Sequence, residues 1–493
     1  MSERSLRLLP LTAARTAALT ATLTLGACAG LAPPPAPTSA WGDRLPTIAA
    51  PAGARLQADL AIDRWWLAFD DTDLHRLIGQ ALSRNADLAI AAARLREAHA
   101  RLAEARGVRL PSLDLRASSA RARASADSIG APAAQTGSSH EVALVGQYEV
   151  DLWGRLAAGT DAAQAELAAQ AWAHAAVQWS LTAQVAEAHF TLRGLERQIQ
   201  IAQAVRASRE RTTALRNTEL QAGAVAEFEW RRAEAELAAA DATLASLQRQ
   251  RLAAQAALSL LAGDAIESLG QAPATRAPLD ATEAFEPRLP QGELAELLRR
   301  RPDLRQAEAR LAASQADIAA ARAATLPALR LSGSVGSDVR ELANLFNAPG
   351  FAWSLAAGVA QSLFDGGRSR ARVEQAEARS EAALAQYRRS VAAALIELRE
   401  AYAALEVQQQ ALQAERQRVA ALGRTQHLAR LGLQVGASSQ LDALDAERNH
   451  FNAQLAEVEA YRQRLVGQVA VFKALGGGHN AAALSASFTG ASR

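Results

Sequence analysis

The sequence predicts a mainly α chain with a small β part, arranged as two tandem copies of one unit. Three observations carry this expectation. Residues 156–217 and 368–431 contain no proline and almost no glycine, so each can run as one helix. At about 1.5 Å per residue, sixty residues make a rod of roughly 90 Å, wider than a soluble globular core. Residues 87–115 align without gaps on 303–331 at an offset of 216, with 14 of 29 positions identical. Finally, short segments beside these helices alternate apolar and polar residues with the period of a strand.

The elements follow in order. Arg4, Arg7 and Arg15 precede a mildly apolar run, Thr16 to Ala27, too short to span a bilayer, which predicts a secretory leader over residues 1–27. The run ends in Leu25-Gly26-Ala27-Cys28, and Cys28 is the only cysteine. This tetrapeptide resembles the bacterial lipobox, whose small residues suit a narrow peptidase cleft. It implies an acylated Cys28 as new N-terminus, with covalent lipid the only non-protein group expected. Ala29 follows, where lipoproteins retained at the inner membrane use Asp, so the resemblance implies the outer membrane. Residues 28–64 read as anchor and Pro-rich linker, with Pro33, Pro34, Pro35, Pro37, Pro46 and Pro51.

The first unit is expected over residues 65–271. Its helix 87–108 ends before Leu110-Pro111, since proline breaks helical bonding. A less regular strand covers 113–123. In the next, Val142, Leu144, Tyr148, Val150 and Leu152 oppose Glu141, Gln147, Glu149 and Asp151. A second Pro-rich stretch at 272–290 opens the second unit, 272–475, and Pro302 suits the first turn of a helix over 303–325. Leu329, Leu331, Val335 and Val339 then oppose Arg330, Ser332, Ser334 and Asp338, and Phe351, Trp353, Leu355, Val359 and Leu363 oppose small residues. Beyond the strands the offset becomes 213: Gly154-Arg155 matches Gly367-Arg368, Gly223 matches Gly436, and Gly263 matches Gly476. Residues 476–493 read as a flexible, small-residue tail.

No segment after the leader offers 18 continuous apolar residues, so any membrane-spanning part must be made of strands. Four strands cannot close a barrel, for which about eight are needed. An open edge in lipid is excluded, so several copies must contribute strands.

Two groups of residues carry a resemblance to a family. Trp65-Trp66-Leu67-Ala68-Phe69-Asp70, then Leu74, Leu77, Ile78, Asn85 and Asp87-Leu88, resemble the opening signature of the outer-membrane efflux lipoproteins related to TolC. Arg300-Arg301-Pro302-Asp303-Leu304 and Leu363-Phe364-Asp365-Gly366-Gly367-Arg368 resemble the signatures of their second repeat. The resemblance spans essentially the whole mature chain. It implies a homotrimer whose 12-stranded outer-membrane β-barrel continues into an α-helical barrel across the periplasm. It further implies an exit duct for a periplasmic adaptor protein and an inner-membrane pump.

The turns between the paired long helices, Leu220-Gln221-Ala222-Gly223-Ala224 and Leu433-Gln434-Val435-Gly436-Ala437-Ser438-Ser439, look like the family's periplasmic tips. The resemblance makes Gly223, Ala224, Gly436, Ala437 and Ser438 adaptor contacts. Asp442 and Asp445 lie three apart on one helical face and match the family's entrance aspartates. In a trimer they would form a ring of six carboxylates that attracts cations. Glu229 is the first-unit equivalent of Asp442, whereas Arg232 stands where a second carboxylate would be. The family pattern also holds a tyrosine and an arginine around the second tip; here Leu433 and Ser438 occupy those places.

Other functions find little footing. The formal charge of +2 falls near zero once Arg4, Arg7, Arg15 and Glu3 leave with the leader, which gives no footprint for nucleic acid. His140-Glu141 lacks the second His of a zinc-protease motif, and no phosphate loop or nucleophile–base pattern stands out, so no enzyme is expected. Two alternatives share the anchored helices: a periplasmic adaptor and a non-transporting envelope scaffold. An adaptor carries one helical hairpin rather than a duplicated unit, and a scaffold needs no strand pairs with one polar face. Trp172 and Trp179 are expected to be packing residues.

Overall fold

A computed structural model describes residues 62–124, 135–264, 300–347 and 350–476. The expected leader, Cys28, the Pro-rich stretches 31–53 and 272–290, and residues 477–493 lie outside the described residues. A 3-10 segment, Ile62–Phe69, leads into α1 (Thr72–Arg84) and α2 (Ala86–Gly107). Strands β1 (Ser112–Ala124) and β2 (Gln135–Val150) follow, then α3 (Arg155–Gln221) and α4 (Glu227–Ala262). The order then recurs with α5 (Pro302–Ala323), β3 (Ala328–Val339), β4 (Phe351–Ala360), α6 (Arg368–Gln434) and α7 (Gln440–Ala474).

The tandem duplication is visible element by element. α2 and α5 are each 22 residues long, and α3 and α6 are each 67, or about 100 Å. Glycines with positive φ recur at the offset of 213: Gly154 (72°) with Gly367 (85°), Gly223 (72°) with Gly436 (73°), and Gly263 (71°) with Gly476 (85°). Pro302 stands in the first turn of α5, as its missing donor allows. The structure differs from the sequence pattern in three places. α1 precedes the expected first helix: Asp71 caps it, and Leu74, Leu77, Ile78 and Ala81 bury one face at helical spacing. β4 ends at Ala360, so Leu363 lies beyond it, 92 % exposed, and Leu152 follows β2 rather than belonging to it.

The main apolar core forms where α1, α3, α4 and α7 meet. Trp65 stacks on Phe472 at 5.5 Å between ring centroids, and Phe69 lies 5.3 Å from Phe190 and 6.0 Å from Phe472. Leu74, Leu77, Ile78, Leu192, Leu258 and Leu465 fill the space around them and are essentially inaccessible. The opening Trp65–Asp70 motif is thus a plug of large rings that anchors the start of the described chain to the long helices. A smaller core of Leu398, Ala401, Leu405 and Val471 joins α6 to α7.

The four strands form one antiparallel sheet in the order β1-β2-β3-β4, so β2–β3 pairing joins the two halves. The pairing is one-to-one without a bulge; Leu115 pairs with Leu144, Leu144 with Val335, and Val335 with Trp353. Unbroken register keeps side-chain parity across the sheet. One face therefore carries Leu113, Leu115, Val142, Leu144, Val335 and Trp353, and the other Asp114, Arg116, Glu141, Ser334, Arg330 and Asp338.

Candidate functional site: a one-sided sheet, two helical tips and the ties between them

On the apolar face Leu115 is 72 % exposed, Trp353 70 % and Leu355 79 %, and no helix of the described chain covers them. β1 and β4 end the sheet without further partners among the described residues. A long apolar strand with an unpaired edge is a template for another chain. No helix among the described residues is long and apolar enough to cross a membrane. The opposite face is small and charged: Glu149 accepts two hydrogen bonds from Arg155 at 2.7 and 3.1 Å, and Ser334 bonds Ser354 at 2.8 Å.

At the first tip α3 runs out at Gln221, Gly223 takes its positive φ, and the Ala224 N–H reaches back to the Glu219 carbonyl at 2.8 Å. The second tip repeats the device: Gly436 turns the chain, and the Ala437 N–H donates to the Gly432 carbonyl at 2.7 Å. Only a residue free to adopt the left-handed region closes such a turn at little cost. Ser438 donates its N–H to the same carbonyl at 3.2 Å, and its side chain sits where a Gly432 side chain would project. Gly223, Ala224, Gly436 and Ala437 are exposed and Ser438 is half-buried.

Asp442 and Asp445 lie in the first two turns of α7, as their spacing requires. Neither hangs loose. Asp442 completes a capping box: its carboxylate accepts from the Ser439 N–H at 3.0 Å and the Ser439 hydroxyl at 2.6 Å, while the Asp442 N–H donates to Ser439 Oγ at 3.1 Å. Those bonds, the hydroxyl's foremost, hold its carboxyl below the usual range. Asp445 pairs with Arg448 at 3.0 Å and remains 44 % exposed. Glu229 sits in the first turn of α4, half-buried. Ser439-Gln440-Leu441-Asp442 is a helix-start pattern legible in the sequence, and it assigns Asp442 a second role that its spacing alone did not suggest.

Sequence spacing missed the ties that join the two halves near these tips. Arg216 on α3 donates to Gln440 Oε1 on α7 at 2.6 Å. Deeper, Glu447 on α7 receives hydrogen bonds from the Ser208 hydroxyl at 3.0 Å and Arg430 at 3.3 Å, and forms an ion pair with Arg209 at 3.3 Å without a hydrogen bond from that nitrogen. The Arg209 side chain is 4 % exposed, so this carboxylate compensates a buried cation between α3 and α7. Leu433 is half-buried and Leu441 is 44 % exposed within the single chain.

Farther along the helices, Arg301 shows what the Arg-Arg-Pro-Asp motif does. Its guanidinium is buried, bonds Asp303 at 2.9 and 3.1 Å, Glu397 at 2.7 Å and the Ala474 carbonyl at 3.1 Å, and lies 5.3 Å from the Trp179 ring centre. Arg305 sits 5.9 Å over Trp172 in the same way. The two tryptophans on α3 are packing residues, as expected, but what they pack is the cationic start of α5.

Comparison with known proteins agrees with this geometry. The outer membrane efflux protein family matches this chain twice, over residues 77–264 and 294–477. Among curated proteins it is 33 % identical over 471 residues to outer membrane protein OprJ of Pseudomonas aeruginosa, covering 94 % of this chain and 95 % of that one. It is 32 % identical to the pyoverdine export outer membrane protein OpmQ of Pseudomonas putida, covering 93 % and 96 %. Among solved structures it resembles the open state of the Neisseria gonorrhoeae MtrE outer membrane channel, with a TM-score of 0.77, 31 % identity, and 87 % and 95 % coverage. By sequence and by fold, the chain belongs to the outer membrane efflux protein family.

Proposed function

We propose that this chain is one third of a trimeric exit duct, standing in the outer membrane and receiving cargo from a periplasmic adaptor and an inner-membrane pump. The observation that carries the reading is the four-stranded sheet, apolar on one exposed face, polar on the other, with two open edges and continuous with 67-residue helices. Only pairing with further copies satisfies those edges in lipid. Three copies supply twelve strands, enough to close around a polar lumen. OprJ, OpmQ and MtrE are described as outer membrane proteins, an export protein and a channel, and their near-complete coverage supports a shared architecture.

In this reading residues 1–27 are a leader, acylated Cys28 and residues 29–64 tether the chain, and 65–271 and 272–475 are the two repeats, followed by a tail. The tips at Gly223, Ala224, Gly436, Ala437 and Ser438 meet the adaptor. Their neighbours Phe228 and Val435, 70 % and 80 % exposed, offer the apolar contact such a meeting needs. Asp442, Asp445 and Glu229 face the periplasmic entrance, where the capping box and the Arg448 pair hold the two aspartates in place. The Arg209–Glu447 and Arg216–Gln440 ties hold α3 against α7 in the closed arrangement, in the place of the family's tyrosine and arginine.

Native mass spectrometry in detergent and co-purification from cells test this together. The expected result is a trimer carrying an adaptor and a pump. A stable, folded, membrane-inserted monomer overturns it.

A further inference from the structure

The apolar face of the sheet changes character at the end farthest from the long helices. Along β1 that face runs Leu113, Leu115, Ala117, Ser119, then Arg121 and Arg123. Cross-strand, Arg121 meets Ser138 and Arg123 meets Thr136, while Ser119 Oγ bonds His140 Nδ1 at 2.8 Å, so the face turns from hydrocarbon to hydroxyl to guanidinium. No Asp or Glu occupies this face of any of the four strands; the nearby carboxylates, Glu141 and Asp338, lie on the other.

The heights can be placed. This face extends from Val150 and Leu329 up to the row of Ser119, His140 and Val339, where it turns polar, ten residues along the strand. At about 3.4 Å per residue and a tilt of about 40° this is a band of roughly 26 Å, the thickness expected for a lipid-facing girdle. Arg121 and Arg123 lie two and four residues above the row of Ser119, hence roughly 5 and 10 Å beyond the band, at headgroup level.

Directly below them the same face is not flat. The segment after β3 folds back so that Leu345 is buried, and an apolar groove of about 540 Å³ opens between it and Leu115, Val142, Leu144, Val335 and Phe351. Two adjacent guanidinium groups over an acyl-sized groove describe a site for an amphiphile whose polar end is doubly anionic.

We propose that Arg121 and Arg123 bind the phosphates of an acylated, phosphorylated glycolipid of the outer leaflet, with an acyl chain lying in the groove beside Leu345. This rests on the exit-duct reading, which sets the long helices on the periplasmic side and the β1–β2 hairpin on the outer side. The bound lipid stabilises the outer rim of β1, an edge strand of the chain and so the strand that pairs with the next copy. One site per chain is expected.

The purified wild-type oligomer, titrated with bisphosphoryl lipid A and followed by native mass spectrometry in detergent, tests it. R121Q/R123Q should lower lipid A affinity at least tenfold, given roughly fivefold per arginine near an anionic surface. R121K/R123K should keep part of the binding, since lysine retains charge without the fork. Wild-type protein given lipid A stripped of both phosphates should show the same loss, a comparison that holds even if the glutamine variant does not assemble. Equal binding of the two lipids, or unchanged binding by R121Q/R123Q, overturns the proposal. So does displacement by millimolar inorganic phosphate alone, which would assign the arginines to a soluble anion. A wild-type protein that is monomeric and outside the membrane before any lipid is added overturns the exit-duct reading instead.

Discussion

The Asp71 carboxylate accepts a hydrogen bond from the buried His189 ring at 2.9 Å and an ion pair from Arg193 at 2.8 Å, across 118 and 122 residues of sequence. The same carboxylate caps α1 through the Leu74 N–H at 3.0 Å. Burial pushes this carboxyl up, but the bond from His189, the Leu74 N–H and the Arg193 charge outweigh it and hold it well below the usual range. One side chain thus starts α1 and locks it to α3.

A folded-state value below the unfolded one means stability present above about pH 4 and lost as pH falls through the depressed value. D71N should therefore weaken the docking of α1 by about 2–3 kcal/mol at neutral pH, mostly from the lost ion pair to Arg193, a weaker bond to His189 and a weaker cap. Hydrogen exchange of residues 72–84 should read this as faster opening at pH 7. The gap between variant and wild type should persist down to about pH 4 and narrow only below it. A gap that closes between pH 7 and 5 contradicts the assignment.

Arg301 holds the start of α5 against α3, α6 and the end of α7. R301K keeps the charge but, with three donors on one nitrogen, cannot reproduce the four hydrogen bonds to Asp303, Glu397 and the Ala474 carbonyl or stack on Trp179. We expect it to cost about 1–3 kcal/mol, and R301A more, by removing the buried cation that Asp303 and Glu397 share. The temperature at which the detergent-purified oligomer dissociates should fall in the order wild type, R301K, R301A.

The two faces of the sheet should tolerate charge differently. Leu144→Arg places a cation at mid-height on the apolar face, which costs about 2–4 kcal/mol in lipid, whereas Ser334→Arg on the polar face adds one to a wet lumen. Fractionation should find L144R depleted from the outer membrane and S334R retained with altered ion selectivity.

For the entrance, asparagine is the informative replacement, because alanine at Asp442 also removes the acceptor half of the capping box at the start of α7. D442N/D445N should lessen cation preference and block by divalent cations, read from reversal potentials in planar bilayers. Loosening the ties between α3 and α7, by Arg216→Ala or Glu447→Gln, should instead raise the resting leak. Wild-type selectivity in the double asparagine variant would remove these carboxylates from the entrance.

Cys28 gives the simplest measurement. Mass spectrometry of mature protein should find an acylated Cys28 at the N-terminus, and C28S should shift protein out of the lipid-modified fraction. An unmodified N-terminus elsewhere contradicts the anchor.

The sequence by itself determined what local periodicity and chain geometry control. Strand parity from Val142 to Val150, the 67-residue helices, the turns at Gly223 and Gly436, and the duplication all follow from residue spacing, because helix and strand repeat their pattern every few residues. It could also have yielded α1 and the Ser439–Asp442 capping box, whose signals lie within four residues. Only the tertiary structure decided which helices meet. Alanine-rich faces pack closely against many partners and so do not encode one. That Asp71 finds His189, Glu447 finds Arg209, and Arg301 finds Trp179 depends on burial between segments far apart in sequence, where an unpaired charge costs several kcal/mol and the fold must bring its partner to it.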